Sequence, residues 1–214
     1  MTIKKYLTDR STSGTVTVSE IITGDKPVVR LVETWFHPQG GGQKADRGVI
    51  GSARILHVAH NAGEVDHYVD RTDSLSVGKS YLFNIDVEGR RFNSAYHTAG
   101  HLIASIIEDQ FPSLRAVSGH QWPGEGRVEF EGEIEDTEAV RSPLEREITH
   151  VLFSKQPVYV IGDPYTDRAI QIGKYKAIPC GGTHVTTTDQ IGSIKIVGLK
   201  KKSCRLRVSY TVMT

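Results

Sequence analysis

No apolar run in this 214-residue chain approaches the roughly 18 residues that a membrane-spanning helix needs, and the opening MTIKKYLTDR lacks the hydrophobic segment of a secretory signal. The expected setting is therefore the cytoplasm, with no membrane partner. Cysteine is scarce: Cys180 and Cys204 allow one disulfide at most, too few for a stapled secreted scaffold. Net charge is nearly absent as well, since 26 Lys and Arg face 25 Asp and Glu, so no strong overall field attracts a polyanion. Three catalytic signatures are missing. No Gly-Lys-Ser or Gly-Lys-Thr follows the triplet Gly40-Gly41-Gly42, which removes a Walker-type phosphate loop. Thr98 stands where a helical zinc peptidase carries its glutamate base, and no Ser-His-Asp arrangement is identifiable.

What is present is the composition of an ordinary folded, turn-rich protein: 38% apolar residues, 21 glycines and 8 prolines, in a length that fits one large domain or two small ones. Charges balance in total but segregate along the chain. Between Gln190 and Thr214 lie Lys195, Lys200, Lys201, Lys202, Arg205 and Arg207, with no acidic residue among them. This segment reads either as a patch for phosphate or as a soluble basic turn between two strands.

In the first ninety residues, short β-branched runs read as strands: Thr15 to Ile22, Val28 to Phe36, Ala53 to His60, Glu64 to Val69 and Ser80 to Val87. With no helical periods between them, they predict a small antiparallel barrel-like domain over residues 1–90 rather than a parallel nucleotide-binding sheet. From about Asn93 the pattern changes. Asn93 or Ser94 caps a helix toward Gln110, stopped by Pro112, with Ala99, Leu102, Ile103, Ile106 and Ile107 as its buried stripe. A strand near Val128 to Glu131, a helix from about Thr137 to Phe153, and strands near Val158 to Ile161, Ser193 to Val197 and Arg205 to Val212 follow. The class is α+β, with a second domain over residues 91–214.

His97 and His101 stand four residues apart in the first of these helices, which puts both imidazoles on one face. Two surface histidines at this spacing also occur without any metal. Farther on, Cys180 and His184 repeat the spacing in Cys180-Gly181-Gly182-Thr183-His184, where the glycines predict a loop that can turn both side chains to one point. Zinc accepts thiolate and imidazole in a tetrahedral shell, and a pair on a helix plus a pair on a loop completes four ligands. The competing reading makes Cys180 a small buried hydrophobe and His184 a hydrogen-bonded core residue. Four protein ligands describe a closed structural ion, whereas catalysis wants an open position. The glycine triplet is either a close backbone approach lining a small pocket or a tight strand connection. Gln43 and Asp46 read as polar residues of an exposed loop, Gln43 toward substrate and Asp46 fixing the turn.

His97-Thr98-Ala99-Gly100-His101-Leu102 together with Cys180-Gly181-Gly182-Thr183-His184-Val185 resembles the editing domain of alanyl-tRNA synthetases and the free-standing alanyl-tRNA editing proteins of the AlaX family. His37-Pro38-Gln39-Gly40-Gly41-Gly42-Gln43 with Asp46 and Gly48, Gly119-His120, and Val208-Ser209-Tyr210 agree with it, so the likeness covers nearly the whole chain. Gly100 and Trp122 depart from the family pattern, without touching a ligand. The resemblance implies the free-standing form. Its fold would be an N-terminal β domain followed by a two-layer editing domain of the threonyl/alanyl-tRNA synthetase second-additional-domain type. The activity implied is zinc-dependent deacylation of Ser-tRNA(Ala), with Gly-tRNA(Ala) as a further candidate, by a monomer or weak homodimer. It further implies one Zn²⁺ per chain on His97, His101, Cys180 and His184, with Gln43 and His120 beside His97 and His101 in the catalytic group. Gly40, Gly41, Gly42, Thr183, Lys200, Lys201 and Lys202 are the expected substrate contacts. Two other functions compete: a non-catalytic RNA-binding module with a structural zinc, and editing of another mischarged tRNA such as Ser-tRNA(Thr).

Overall fold

The structure is a computed structural model that describes residues 1–213. The chain divides into two compact units: Met1–Gly40 with Lys44–Arg91, and Gly41–Gln43 with Phe92 onward. Mostly sheet, with two helices, it is a mixed α/β protein.

The first unit holds β1 (Ile3–Lys4), β2 (Ser13–Ile22), β3 (Val28–Leu31), β4 (Glu33–Thr34), β5 (Gly48–Ile50), β6 (Ala53–Asn61), β7 (Glu64–Val69) and β8 (Ser80–Ile85). Six of these close into a barrel in the order β2-β3-β7-β6-β5-β8, with antiparallel neighbours, while β1 pairs β4 in parallel. Alternation along the strands fills the interior: Val16, Val18, Val29, Ile50, Val58 and Phe83 are buried. The run expected as one strand from Val28 to Phe36 is broken at exposed Val32 into β3 and β4. Asp46 corrects the reading of an exposed turn residue. It is 1% exposed, accepts the His37 backbone N–H, and takes Arg90 Nε at 2.9 and 3.0 Å.

Helix α1 (Val87–Gln110) contains the division between the units and begins six residues before Asn93. Asp86 explains the earlier start, because its Oδ1 accepts Gly89 N–H at 3.1 Å and its backbone oxygen accepts Arg90 N–H. The second unit continues with β9 (Arg115–His120), β10 (Arg127–Glu131), α2 (Glu138–Phe153), β11 (Val158–Ile161), β12 (Ala169–Ile172), β13 (Ile178–Pro179), β14 (Ser193–Lys202) and β15 (Arg205–Met213). An antiparallel sheet runs β14-β15-β10-β9, and a smaller one runs β11-β12-β13. Ala99, Leu102, Ile103, Ile106 and Ile107 of α1 share one core with Leu144 and Ile148 of α2 and with Phe130, Val208 and Tyr210 of the larger sheet. Each fully buried aliphatic side chain there contributes roughly 1.5–3 kcal/mol, which anchors α1 and leaves its remaining face to the site.

Candidate metal centre

One turn of α1 stacks His97 and His101 with ring centroids 5.0 Å apart. The loop after β13 brings Cys180 and His184 to them. This loop is tied at its start to the residue before β12: Cys180 N–H donates to Arg168 O at 3.1 Å, and the Arg168 guanidinium donates back to Cys180 O. It then crosses His97 so closely that a Cβ on Gly182 would overlap the imidazole, which makes glycine obligatory there. Cys180 Sγ ends 3.5 Å from His97 Nε2 and 3.2 Å from His184 Nε2, and one ligand atom from each of the four residues falls within 4.8 Å of the others.

The surrounding hydrogen bonds fix which ring nitrogens face inward. Gln43 Oε1, an acceptor only, lies 2.7 Å from His97 Nδ1, so Nδ1 carries the proton and Nε2 presents its lone pair toward Cys180. Thr98 Oγ1 donates to Ser94 O, which leaves it to accept from His184 Nδ1 at 3.1 Å and from Val185 N–H; His184 Nε2 likewise presents its lone pair toward Cys180. Two lone pairs therefore meet one sulfur that has a single proton to give. His101 adds a buried Nδ1 with no hydrogen-bond partner among the described residues. A set short of protons and rich in N and S donors is one that a cation satisfies, so these residues fit a metal ion.

Burial pushes His101 down to about 4, helped by the Arg168 charge, so its imidazole is neutral near pH 7. Burial raises the Cys180 thiol, opposed by the Gly182 N–H at 3.3 Å from Sγ and by Arg168. A bound cation reverses that balance and favours the thiolate.

His97, His101, Ala104 and Glu108 follow one stripe of α1 and line a cavity of about 390 Å³. Cys180, Gly41, Gly100, Gln121 and the β9 residues Ala116 to Gly119 are also part of its wall. Gln43 is not exposed, as its loop position suggested, but fully buried. Its Oε1 accepts Thr183 N–H at 2.8 Å, its Nε2 donates to Thr183 Oγ1 at 2.7 Å, and Ser94 Oγ closes the group. Gln43 and Thr183 thus hold the ligands rather than face the cavity. Gly42 has φ +80, and a Cβ there would stand 2.6 Å from Gly119 O, so this glycine permits the close approach of β9. Gly40 falls in the first unit. His120 is outside the cavity lining, beside Glu125 Oε2 at 3.3 Å and Trp122 at 4.9 Å between centroids.

The basic segment lies away from the cavity. Lys200, Lys201 and Lys202 are on β14, the sheet edge opposite β9, so the patch and the pocket occupy different edges. Arg205 pairs with Glu131, Arg207 with Glu129, and Lys201 donates to Ile134 O.

Residues 168–207, which contain the Cys180 to His184 loop, match the threonyl and alanyl tRNA synthetase second additional domain. Over 223 residues the chain is 27% identical to alanyl-tRNA editing protein AlaX-M of Methanosarcina barkeri, covering 89% of this chain and 90% of that protein. The chain is similar to several proteins named alanyl-tRNA editing proteins. Against AlaX-L of Pyrococcus horikoshii it is 27% identical over 213 residues, 87% of this chain and 52% of the relative. Against the alanine–tRNA ligase of Lactococcus lactis subsp. cremoris SK11 it is 31% identical over 202 residues, 82% of this chain and 23% of the ligase. The chain thus spans about half of AlaX-L and about a quarter of the ligase. Sequence reasoning passed over Gln121, Arg168, Ser94 and Thr98 in this site. Only Gly100, a glycine in mid-helix, gave a signal, since glycine there costs roughly 1 kcal/mol relative to alanine and calls for a local reason.

Proposed function

We propose that the chain is an aminoacyl-tRNA deacylase that removes serine from Ser-tRNA(Ala), with Gly-tRNA(Ala) as a second substrate, and that its metal is Zn²⁺, one per chain. The carrying observation is the convergence of His97, His101, Cys180 and His184 at the wall of a cavity, in a chain similar to proteins named for alanyl-tRNA editing. One thiolate with three imidazoles is a donor set that suits zinc. The two-layer editing architecture and a partner tRNA(Ala) belong to the same reading.

The reaction adds water across the ester and releases the free amino acid and the terminal ribose hydroxyl. Zinc, when bound, supplies a fixed positive charge and Lewis-acid polarisation beside the ester. The chain's own residues orient the components. Gln43 and Thr98 hold the outer nitrogens of His97 and His184 and so aim the inner ones, and Gly182 lets the ligand loop lie against the helix. Gly41 and Gly119 present backbone at the wall, and Gly42 lets Gly119 come close, so a small aminoacyl group sits against peptide units. Pre-set dipoles of this kind stabilise charge developing on the ester carbonyl without reorganising during reaction.

The test follows ester cleavage on tRNA(Ala) charged separately with Ser, Gly and Ala, and on tRNA(Thr) charged with Ser, with spontaneous hydrolysis and Cys180→Ala as controls. Rapid loss of the seryl ester with the alanyl ester spared is the expected result. Equal rates on both would remove the proofreading role, and preference for a seryl ester on tRNA(Thr) would reassign the substrate. Four protein donors also fill a tetrahedral shell, which favours a second reading, an RNA-binding module with a structural zinc. That reading requires tRNA binding with no acceleration on any ester.

A further inference from the structure

One side chain of the cavity wall remains unused. Gln121 is 5% exposed and lies against Gly100 of α1 and Gly119 of β9. A Cβ at Gly100 would overlap the Gln121 amide, and one at Gly119 would overlap its Nε2. Both glycines therefore make room for this amide, one of them at the expense of helix propensity. The Gln121 backbone N–H donates to Gly42 O at 2.9 Å, which fixes its stem.

The far end is anchored too. Tyr210, 2% exposed, has one hydroxyl proton and two oxygens to serve: Tyr96 O at 2.8 Å and Gln121 Oε1. If the proton goes to Tyr96 O, the phenol oxygen accepts from the amide nitrogen instead, with the amide turned end for end. In both arrangements Tyr210 holds one amide atom, and the other has no protein partner among the described residues. The wall thus offers the cavity one hydrogen-bonding atom, a donor or an acceptor.

We propose that Gln121 is the specificity-determining residue, meeting the side-chain hydroxyl of a seryl ester; the assignment rests on the deacylase reading above. A hydroxyl both donates and accepts, so it pairs with either amide orientation. An ester carbonyl only accepts and an α-ammonium only donates, so each fits one orientation alone. The methyl of alanine offers the amide atom no hydrogen bond, and a site that pairs with a hydroxyl selects against the analogue that lacks it.

The test measures binding of non-hydrolysable seryl and alanyl amides of 3′-amino-3′-deoxyadenosine by calorimetry. Wild-type protein should prefer the seryl compound by roughly tenfold or more. Gln121→Met keeps length and bulk but removes both polar atoms, and the ratio should fall toward one with the alanyl affinity unchanged. Gly100→Ala, which displaces the amide from the other side, should lose the same preference. Metal content and thermal midpoint check that both variants are folded. No seryl preference in the wild type, an unchanged ratio in the variants, or equal loss on both compounds overturns the assignment. Ester hydrolysis by the wild type reads the deacylase function separately: seryl preference in binding without cleavage defeats that function and leaves the Gln121 contact standing.

Discussion

Each unit of the molecule buries histidine, and the two do so in opposite ways. In the barrel, His67 is 0% exposed and both ring nitrogens are consumed: Nε2 meets Thr34 Oγ1 at 2.8 Å, and Nδ1 meets Val29 O at 3.0 Å. In the second unit, the outer nitrogens of His97 and His184 are held by Gln43 and Thr98, and the inner ones converge on a thiol. Burial is common to both. What separates the two is where the inner ring nitrogen points: to the protein's own hydroxyl in the barrel, and to a shared thiol in the candidate metal cluster.

The sharpest way to break this comparison is to count metal. Protein purified without added metal should contain close to one zinc per chain, and Cys180→Ala and His97→Ala should reduce it to near zero by elemental analysis. His67→Gln should leave it unchanged. Undiminished zinc in the first two variants would remove the site, while loss of metal accompanied by unfolding would give the ion a structural role.

The barrel histidine sets a pH dependence of its own. Burial lowers His67 from the usual 6.5 to about 4, only partly offset by its bond to Val29 O and by Asp66. The unfolded chain therefore takes up the proton first. Stability from this group is complete above about pH 6.5 and drains as pH falls toward about 4, at no more than about 1.4 kcal/mol per pH unit. Urea midpoints at pH 7 and pH 5 should differ more in the wild type than in His67→Gln; equal differences would show that other groups govern the acid limb.

The candidate cluster was legible in sequence because its two pairs use repeated spacing on a helix and on a glycine loop. The buried stripe of α1 was legible because aliphatic residues recur with the helix period. β9 was not. Arg115 to His120 is an edge strand exposed at most positions, so no alternation marks it, and Ala116 to Gly119 line the cavity. Gln43 misled for a related reason: a polar residue after three glycines reads as solvent-facing, yet here its amide is fully matched by His97 and Thr183, which lie far along the chain. Such pairings carry no local period. The basic segment was visible as charge, but the acidic partners on β10 that cancel part of it come from a distant stretch of sequence.

The smallest effect expected concerns that segment. Neutralising Lys200, Lys201 and Lys202 together should leave zinc content and amino-acid selectivity unchanged, since they lie on the sheet edge opposite β9. Their contribution to tRNA binding should appear as a modest loss of affinity and a shallower salt dependence, by up to about three phosphate contacts. A titration across salt concentrations with no change in either would make this turn merely solvated.

The three residues Gly41–Gln43, which belong to the second unit although the chain around them builds the first, bear on how the protein can be dissected. A fragment beginning at Phe92 would retain all four candidate ligands and still lack the acceptor for the His97 Nδ1 proton, along with both partners that Gln43 gives Thr183. No single break in the chain releases an intact metal-site unit, so shuffling that unit between proteins requires carrying the glycine loop with it as a separate graft.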